Sequence, residues 1–436
     1  MKKFVIIVVI MSWFHNGYSQ SWSLLSNSPS AGFRHDDLYF VNADTGWVVN
    51  VEGYIYKTTD GGNAWGTQLF QPATSFRCVG FSNANKGWAG NLGPGSWSPT
   101  SDTIPLYQTV DGGNTWQPVT NISGPLPKGI CGISVVNDSV VYAVGRVGGP
   151  CHIIKTINGG TSWTSVNFNP PAFYLIDCHF FSVDTGFVVG CTGTNFNDER
   201  YSVFYTVDAG QNWTQVAGNP SFNGHCWKIN FPSRNVGYIS IEAGSGMDSI
   251  PVLKTVDGGL TWEEKLWNVS LWYAQGIGFV NDSVGWCGSA LNQVKETNDG
   301  ADSWNMVPFV PNFNRFRSIN DTLAYASGNR IWKYSKQPTA INELQPLAGL
   351  ILEQNYPNPF SDKTSIGYSL PAKGKVVIKV YDFAGRYIKT IVDKEQNRGT
   401  YKVDFSVPYF FDAHFLYVMS FNNHFVTKQM LMIKQE

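Results

Sequence analysis

Charged residues are scarce in this chain. Lys and Arg number 31 and Asp and Glu 32, together 14% of 436 residues, for a formal net charge of −1. Nucleic-acid binding rests on a clustered basic surface, so the composition excludes that partner class. Long apolar runs are scarce too. The candidate, Phe4 to Phe14, is too short for a comfortable membrane span. Lys2 and Lys3 precede it, and Gly17 and Ser19 stand where a signal peptidase reads, so residues 1–19 are expected to be a secretory signal cleaved before Gln20. The mature chain is then expected to carry no transmembrane segment.

Catalytic and metal signatures are missing as well. No HExxH, phosphate-binding loop, dinucleotide fingerprint or Ser/Cys nucleophile motif occurs, and no CxxC or His-Cys spacing suggests zinc. No metal and no cofactor are expected. His35, His152, His179 and His225 read as hydrogen-bonded structural residues. The cysteines are Cys78, Cys131, Cys151, Cys178, Cys191, Cys226 and Cys287, an odd number. An exported chain can pair three couples, with Cys131–Cys151 and Cys178–Cys191 each inside one repeat, but sequence leaves the connectivity open.

Repetition is abundant. A nine-residue pattern recurs as KTTDGGNAW (57–65), QTVDGGNTW (108–116), KTINGGTSW (155–163), YTVDAGQNW (205–213), KTVDGGLTW (254–262) and ETNDGADSW (296–304). From Asp60 through Asp111, Asn158, Asp208 and Asp257 to Asp299 the steps are 51, 47, 50, 49 and 42 residues, the length of one four-stranded propeller blade. Each unit also has an upstream half, such as FVNADTGWVV (40–49) or FVNDSVGWCG (279–288), read as a strand pair. The Asp is expected to accept hydrogen bonds from backbone N–H groups just ahead, and the glycines to supply positive φ. Trp65, Trp116, Trp163, Trp213, Trp262 and Trp304 then pack on the turn. These residues are read as structural.

After Trp304 the segment 315–335 copies a unit but has no box, so that blade lacks its outermost strand. SWSLLSN (21–27) reads like the strands that follow the boxes. The expectation is an all-β, seven-bladed propeller over residues 20–334, closed by its N-terminal strand, which removes exposed edges.

The box resembles the Asp-box, or BNR-like, repeats of sialidases, sortilin-type receptors and photosystem II assembly factor-like propellers. The last look nearest, because GW precedes and KTTDGG.TW follows within one unit. The resemblance covers residues 21 to 334 and implies a generic interaction role, not photosynthesis. Its sialidase branch implies an alternative, a glycoside hydrolase acting on extracellular glycans through converging arginines, a Tyr–Glu pair and an acid/base Asp. Arg34, Arg77, Arg146, Arg200, Arg234, Arg315, Arg317 and Arg330 lack the sialidase Arg-Ile-Pro context, and sialidases have six blades. The expectation is therefore a non-catalytic binding module. Arg34, Arg77, Lys228 and Arg315 fall on first strands beside Phe33, Phe76, Trp227 and Phe316, where a cationic, aromatic-edged channel mouth would hold an acidic peptide or glycan. Insertions at 92–105, 193–201 and 243–251 are expected at the rim.

The repeat stops near Ser335. Residues 335–350 read as a linker, and 351–436 as a small Ig-like antiparallel sandwich. This segment resembles the type A C-terminal sorting domain of the Bacteroidota type IX secretion system. The carrying residues are Asn355-Tyr356-Pro357-Asn358-Pro359-Phe360, Tyr368 to Pro371, Tyr381-Asp382, Gly385-Arg386, Gly399-Thr400-Tyr401 and a final strand containing Lys428. The resemblance implies export to the cell surface or medium, with the secretion machinery and its sortase-like peptidase as partners, beside an unidentified extracellular protein or glycan ligand. One stretch departs from the family: Phe411 to Tyr417 holds no glycine where a Ser-Gly-Tyr-like turn is usual. Asp102-Thr103-Ile104, Asp138-Ser139-Val140, Asp248-Ser249-Ile250, Asp282-Ser283-Val284 and Asp321-Thr322-Leu323 resemble Bacteroidota O-glycosylation tripeptides.

Overall fold

In the computed structural model the described residues are 20–95, 100–243, 250–268, 274–289, 293–307, 312–336, 349–382, 387–406, 413–422 and 424–433. The signal segment, most of the 335–350 linker, Gly385 and parts of two insertions lie outside them. The chain divides into one unit over Gln20–Gln337 and another from Pro338 onward.

The first unit holds seven sheets among the described residues, antiparallel but for one added strand. Their first strands are His35–Phe40, Phe76–Phe81, Gly132–Val135, Tyr174–Phe180, Gly224–Asn230, Ala274–Phe279 and Arg315–Asn320. Each packs against the next, and the last packs against the first, so these strands line the axis of a closed ring. Six sheets run in sequence order from the axis outward, and the third gains an outer strand, Ile122–Ser123, parallel to Trp163–Asn167. The seventh is completed by Gln20–Leu24, antiparallel to Ile331–Lys336. Trp22 locks that closure, its ring 5.2 Å from Trp286, 4.7 Å from Phe313 and 5.5 Å from Tyr334.

Between sheets, an aromatic on four of the second strands meets the phenylalanine that ends a neighbouring first strand. Trp47 stacks on Phe81 at 3.5 Å, Tyr142 on Phe180 at 3.6 Å, Tyr238 on Phe279 at 3.5 Å, and Tyr325 closes the ring on Phe40 at 3.7 Å. The glycine before Trp47, Trp88, Phe187, Tyr238 and Trp286 follows from packing within its own sheet. A Cβ on Gly87 would lie 2.4 Å from the Phe81 ring, and one on Gly285 2.3 Å from Phe279.

The boxes are turns, and their hydrogen bonds centre on a residue the sequence reading passed over. Thr58 donates its hydroxyl to Asp60 at 2.9 Å and accepts the Gly62 N–H at 2.9 Å, while Asp60 accepts the Ala64 N–H at 2.9 Å. Thr109, Thr156, Thr206, Thr255 and Thr297 repeat the arrangement around Asp111, Asn158, Asp208, Asp257 and Asp299. That threonine is identical in all six boxes, whereas the Asp is once Asn; this was the available signal. Hydrogen bonds from Thr115 to Asp111, Thr261 to Asp257 and Ser303 to Asp299 hold these carboxyls down at about 2. Trp65, Trp213 and Trp262 donate their indole N–H to Gly62, Gly210 and Gly259 carbonyls, while Trp116, Trp163 and Trp304 bury theirs without a partner.

All seven cysteines are buried free thiols, so neither Cys131–Cys151 nor Cys178–Cys191 is bridged. Each occupies a packed apolar position, where burial pushes the Cys151 thiol up to about 12. In the O-glycosylation-like tripeptides, Thr103, Ser139, Ser283 and Thr322 are exposed, while the 248–249 pair lies outside the described residues.

The second unit is two antiparallel sheets over one core. Ile351–Leu352, Lys363–Leu370 and Gly399–Ser406 form one; Tyr387–Gln396, Gly374–Asp382, Ala413–Phe421 and His424–Met432 form the other. Phe360, Ile366, Tyr368, Ile378, Phe405, Phe415, Tyr417 and Met419 fill the space between. Ala413–Phe421 is a strand the sequence reading did not name. Its alternation of Phe415, Tyr417, Met419 and Phe421 inward is a legible period-2 signal, obscured by the missing turn glycine.

Candidate functional site

The first strands bring the proposed cations together on the axis, but with anions the sequence reading overlooked. A one-residue bulge sits at the same place in most of these strands, as between His35 and Asp37, Leu175 and Asp177, and Cys226 and Lys228. The bulged residues form one layer and the residues just after them another.

In the second layer, Arg315 spans Asp177 bidentately, Nη1 to Oδ2 at 2.5 Å and Nη2 to Oδ1 at 3.0 Å, and donates Nε to Asp37 Oδ1 at 2.9 Å. Asp37 and Asp177 are also fixed by the Val79 and Ile229 N–H groups. All are buried, Arg315 at 4% exposure and Lys228 at 1%. Burial opposes the Arg315 charge, but Asp177 and Asp37 outweigh it and raise its pKa. Lys228 has no carboxylate within 4.0 Å among the described residues. Burial, then the neighbouring Arg315 charge, pull its ammonium down to about 8.

In the first layer Arg34 and Arg77 share Asp36 Oδ1, at 3.1 and 2.6 Å, and both guanidinium groups lie over the Trp227 ring, at 5.4 and 5.3 Å. Arg34 reaches Gln275, which donates to Glu242 at 2.8 Å. Trp227 donates to Asn314 at 3.2 Å, and His225 pairs with Glu199 at 2.7 Å. The expected ligand-facing mouth at Arg34, Arg77, Lys228 and Arg315 is thus, at these residues, a buried charge-matched plug. The residues converge as the repeat phase requires, but Asp36, Asp37 and Asp177 take up their charge. Phe33 alone of the expected aromatic edge is exposed, at 63%. A crevice of about 30 Å³ lies beside it and Arg34.

The open site lies where the first strands end. A cavity of about 370 Å³ is lined by Tyr39, Ser134, His179, Asn230, Phe279 and Arg317, with Arg315 shared between its wall and the plug. Arg317 is the cation that stands between the plug and the cavity. Its Nε donates to the Leu38 carbonyl at 3.0 Å, its guanidinium lies 5.1 Å from the Tyr39 ring centre, and Nη2 is 3.6 Å from Asp37. Nη2 is buried without a hydrogen bond. Lys228, Arg315 and Arg317 together exceed Asp37 and Asp177 by one positive charge, and Arg317 carries that excess to the cavity wall, which Lys228 does not reach. His179 faces it neutral, burial holding its pKa down to about 4. No Asp or Glu lines this cavity. Sequence reasoning assigned His179 to structure and passed over Arg317, which stands two residues beyond Arg315 on the same strand and therefore on the same face.

A second cleft, of about 330 Å³, lies at the rim between outer strands and is lined by Tyr201, Asn219, Trp262 and Glu264. Tyr201 donates its hydroxyl to Glu264, a Tyr–Glu pair invisible in sequence because 63 positions separate its members. The lining holds no arginine, so the converging guanidinium groups of a sialidase site are not assembled there.

In the second unit, Asn355 donates to the Pro357 carbonyl at 3.0 Å and to Thr364 at 2.9 Å, while its own N–H donates to Tyr417. Asn358 accepts the Leu431 N–H at 2.8 Å, tying the motif to the final strand. Phe360 is buried, Pro359 is exposed, Gly399 opposes Leu370 and Lys428 opposes Tyr417.

Residues 354–408 match the family model described as the secretion system C-terminal sorting domain. A search of curated proteins finds no match. Among solved structures, YCF48 bound to a D1 peptide is similar over 72% of this chain and 96% of that one, at 18% identity and a TM-score of 0.52. YCF48 from Cyanidioschyzon merolae is similar over 72% and 98%, at 16% identity and a TM-score of 0.54. The extracellular domain of the one component system BT4673 from B. thetaiotaomicron is similar over 96% of this chain and 60% of that one, at 9% identity and a TM-score of 0.52. At such identities the likeness is one of fold. No helix among the described residues is long and apolar enough to cross a membrane. The chain joins an all-β propeller to a C-terminal sorting domain of the type IX secretion system.

Proposed function

We propose that the protein is an exported, non-catalytic binding module, delivered to the cell surface or medium after loss of its N-terminal signal, that holds an acidic peptide at the cavity around Arg317. The carrying observation is the lining: an under-bonded guanidinium, a tyrosine face and neutral polar groups, with no carboxylate. Glycoside cleavage needs two cooperating ionisable groups at the scissile bond. The axial carboxylates Asp36, Asp37 and Asp177 are instead committed to arginines. A fold neighbour bound to a peptide supports polypeptide over glycan as the ligand. An acidic glycan meets the same charge and is the second arm of the test. The purified mature chain is screened against acidic peptides and a glycan array with parallel detection of hydrolysis. Saturable, salt-sensitive peptide binding without turnover is expected; cleavage of any glycan would overturn the reading.

A further inference from the structure

We infer that Tyr356 is the side chain through which the C-terminal unit docks on a protein component of the export machinery, a reading that rests on the unit being a sorting domain. The motif Asn355 to Phe360 can be accounted for group by group. Asn355 braces the turn, the Pro357 carbonyl accepts from Asn355 and Thr364, Asn358 clamps the last strand, and Phe360 fills the core. Tyr356 does none of this. Its main chain is fixed to Ser365 by two hydrogen bonds, of 2.9 and 3.1 Å, yet its side chain is 84% exposed. It makes no side-chain hydrogen bond or ring contact among the described residues.

Strand register places it on a defined face. Tyr356 opposes Ser365 and Ile351 opposes Ser369, so both share the outward side of Lys363–Leu370, opposite the buried Thr364, Ile366, Tyr368 and Leu370. Between them stand Ser365, Gly367 and Ser369, with the exposed Glu353 side chain lying over Gly367. Ile351 is 51% exposed. Across the sheet this face continues into Asp404, Lys402 and Thr400. An exposed aromatic anchor on a pinned main chain, with a second apolar side chain and the charged Glu353, Lys402 and Asp404 around it, has the anatomy of a protein–protein hot spot inside a polar rim. Backbone pinning lowers the entropy lost when the ring is captured. The occupant is a secretion component rather than a ligand of the propeller, because Tyr356 lies inside the segment, 354–408, that matches the sorting family.

The test expresses the full chain in a host with this export system. The fraction exported and the fraction retained in the periplasm are measured for wild type, Tyr356→Ala and Tyr356→Phe, together with the thermal midpoint of each purified protein. Expected is export reduced roughly tenfold for Tyr356→Ala, close to wild type for Tyr356→Phe, and unchanged midpoints. Normal export of Tyr356→Ala would overturn the inference. So would a lowered midpoint for that variant, which would make Tyr356 a structural residue.

Discussion

At the residue scale, the buried charges on the axis are the most consequential feature, and Lys228 is the one whose burial is least compensated. With Arg315 and Arg317 still facing Asp37 and Asp177, replacing the lysine by an apolar residue of similar length leaves the carboxylates matched. Buried ionic groups are often replaceable by apolar ones with a gain of about 1–4 kcal/mol. Lys228→Met is therefore expected to stabilise the protein at pH 7 by about 1–3 kcal/mol in denaturant unfolding. The pH dependence follows from the depressed ammonium. Between about 8 and the unfolded value of about 10.4 the unfolded chain binds the proton that the native lysine has released, so wild-type stability rises with pH across that window. The advantage of Lys228→Met should shrink over the same window; a constant advantage would assign it to packing instead. The cations of this layer were legible in the sequence because the repeat phase puts them on one strand position. Their neutralisation was not, because Asp37 and Asp177 lie 278 and 138 positions from Arg315.

At the scale of elements, the repeat is explained by two local devices. In six sheets the Thr–Asp turn ties the third strand to the fourth, and at four sheet pairs a terminal phenylalanine stacks on the neighbouring second-strand aromatic. The glycine is needed because the phenylalanine ring lies over it. Gly87→Ala would force a Cβ 2.4 Å from Phe81, and overpacking of this kind costs about 1–3 kcal/mol. A thermal midpoint lowered accordingly is expected, whereas Gly66→Ala, whose Cβ would meet only the end of Gln68, should be nearly neutral. Both devices were visible as sequence motifs, which is why the sheets were predictable. The extra strand Ile122–Ser123 and the tail strand Ala413–Phe421 were not: one is a two-residue, irregular pairing, and the other lacks the glycine that marks its start in relatives of the tail.

At the scale of the whole molecule, closure and the proposed function are linked, because the cavity draws on six of the seven first strands. The strand carrying Arg317 belongs to the sheet that the N-terminal strand completes. Trp22→Ala removes the indole at that seam, and large-to-small changes of this kind cost about 3–5 kcal/mol. Unfolding should remain cooperative but begin at the seam, detectable as early hydrogen exchange in Arg315–Asn320 and Ile331–Lys336; uniform exchange across all sheets would contradict closure by the N-terminal strand. The propeller and the sorting tail were both legible in the sequence through repetition and motif. The proposed binding face was not, since charge matching across the axis decides which cation is left over. The central claim is that Arg317 supplies that unmatched charge. The measurement that tests it most directly is calorimetric titration of the mature chain with an acidic peptide, comparing wild type with Arg317→Glu at low and high salt. The account predicts affinity lost by about 10- to 100-fold, the range for a charged hydrogen bond, with a weaker salt dependence. Equal affinity in the two proteins would contradict it.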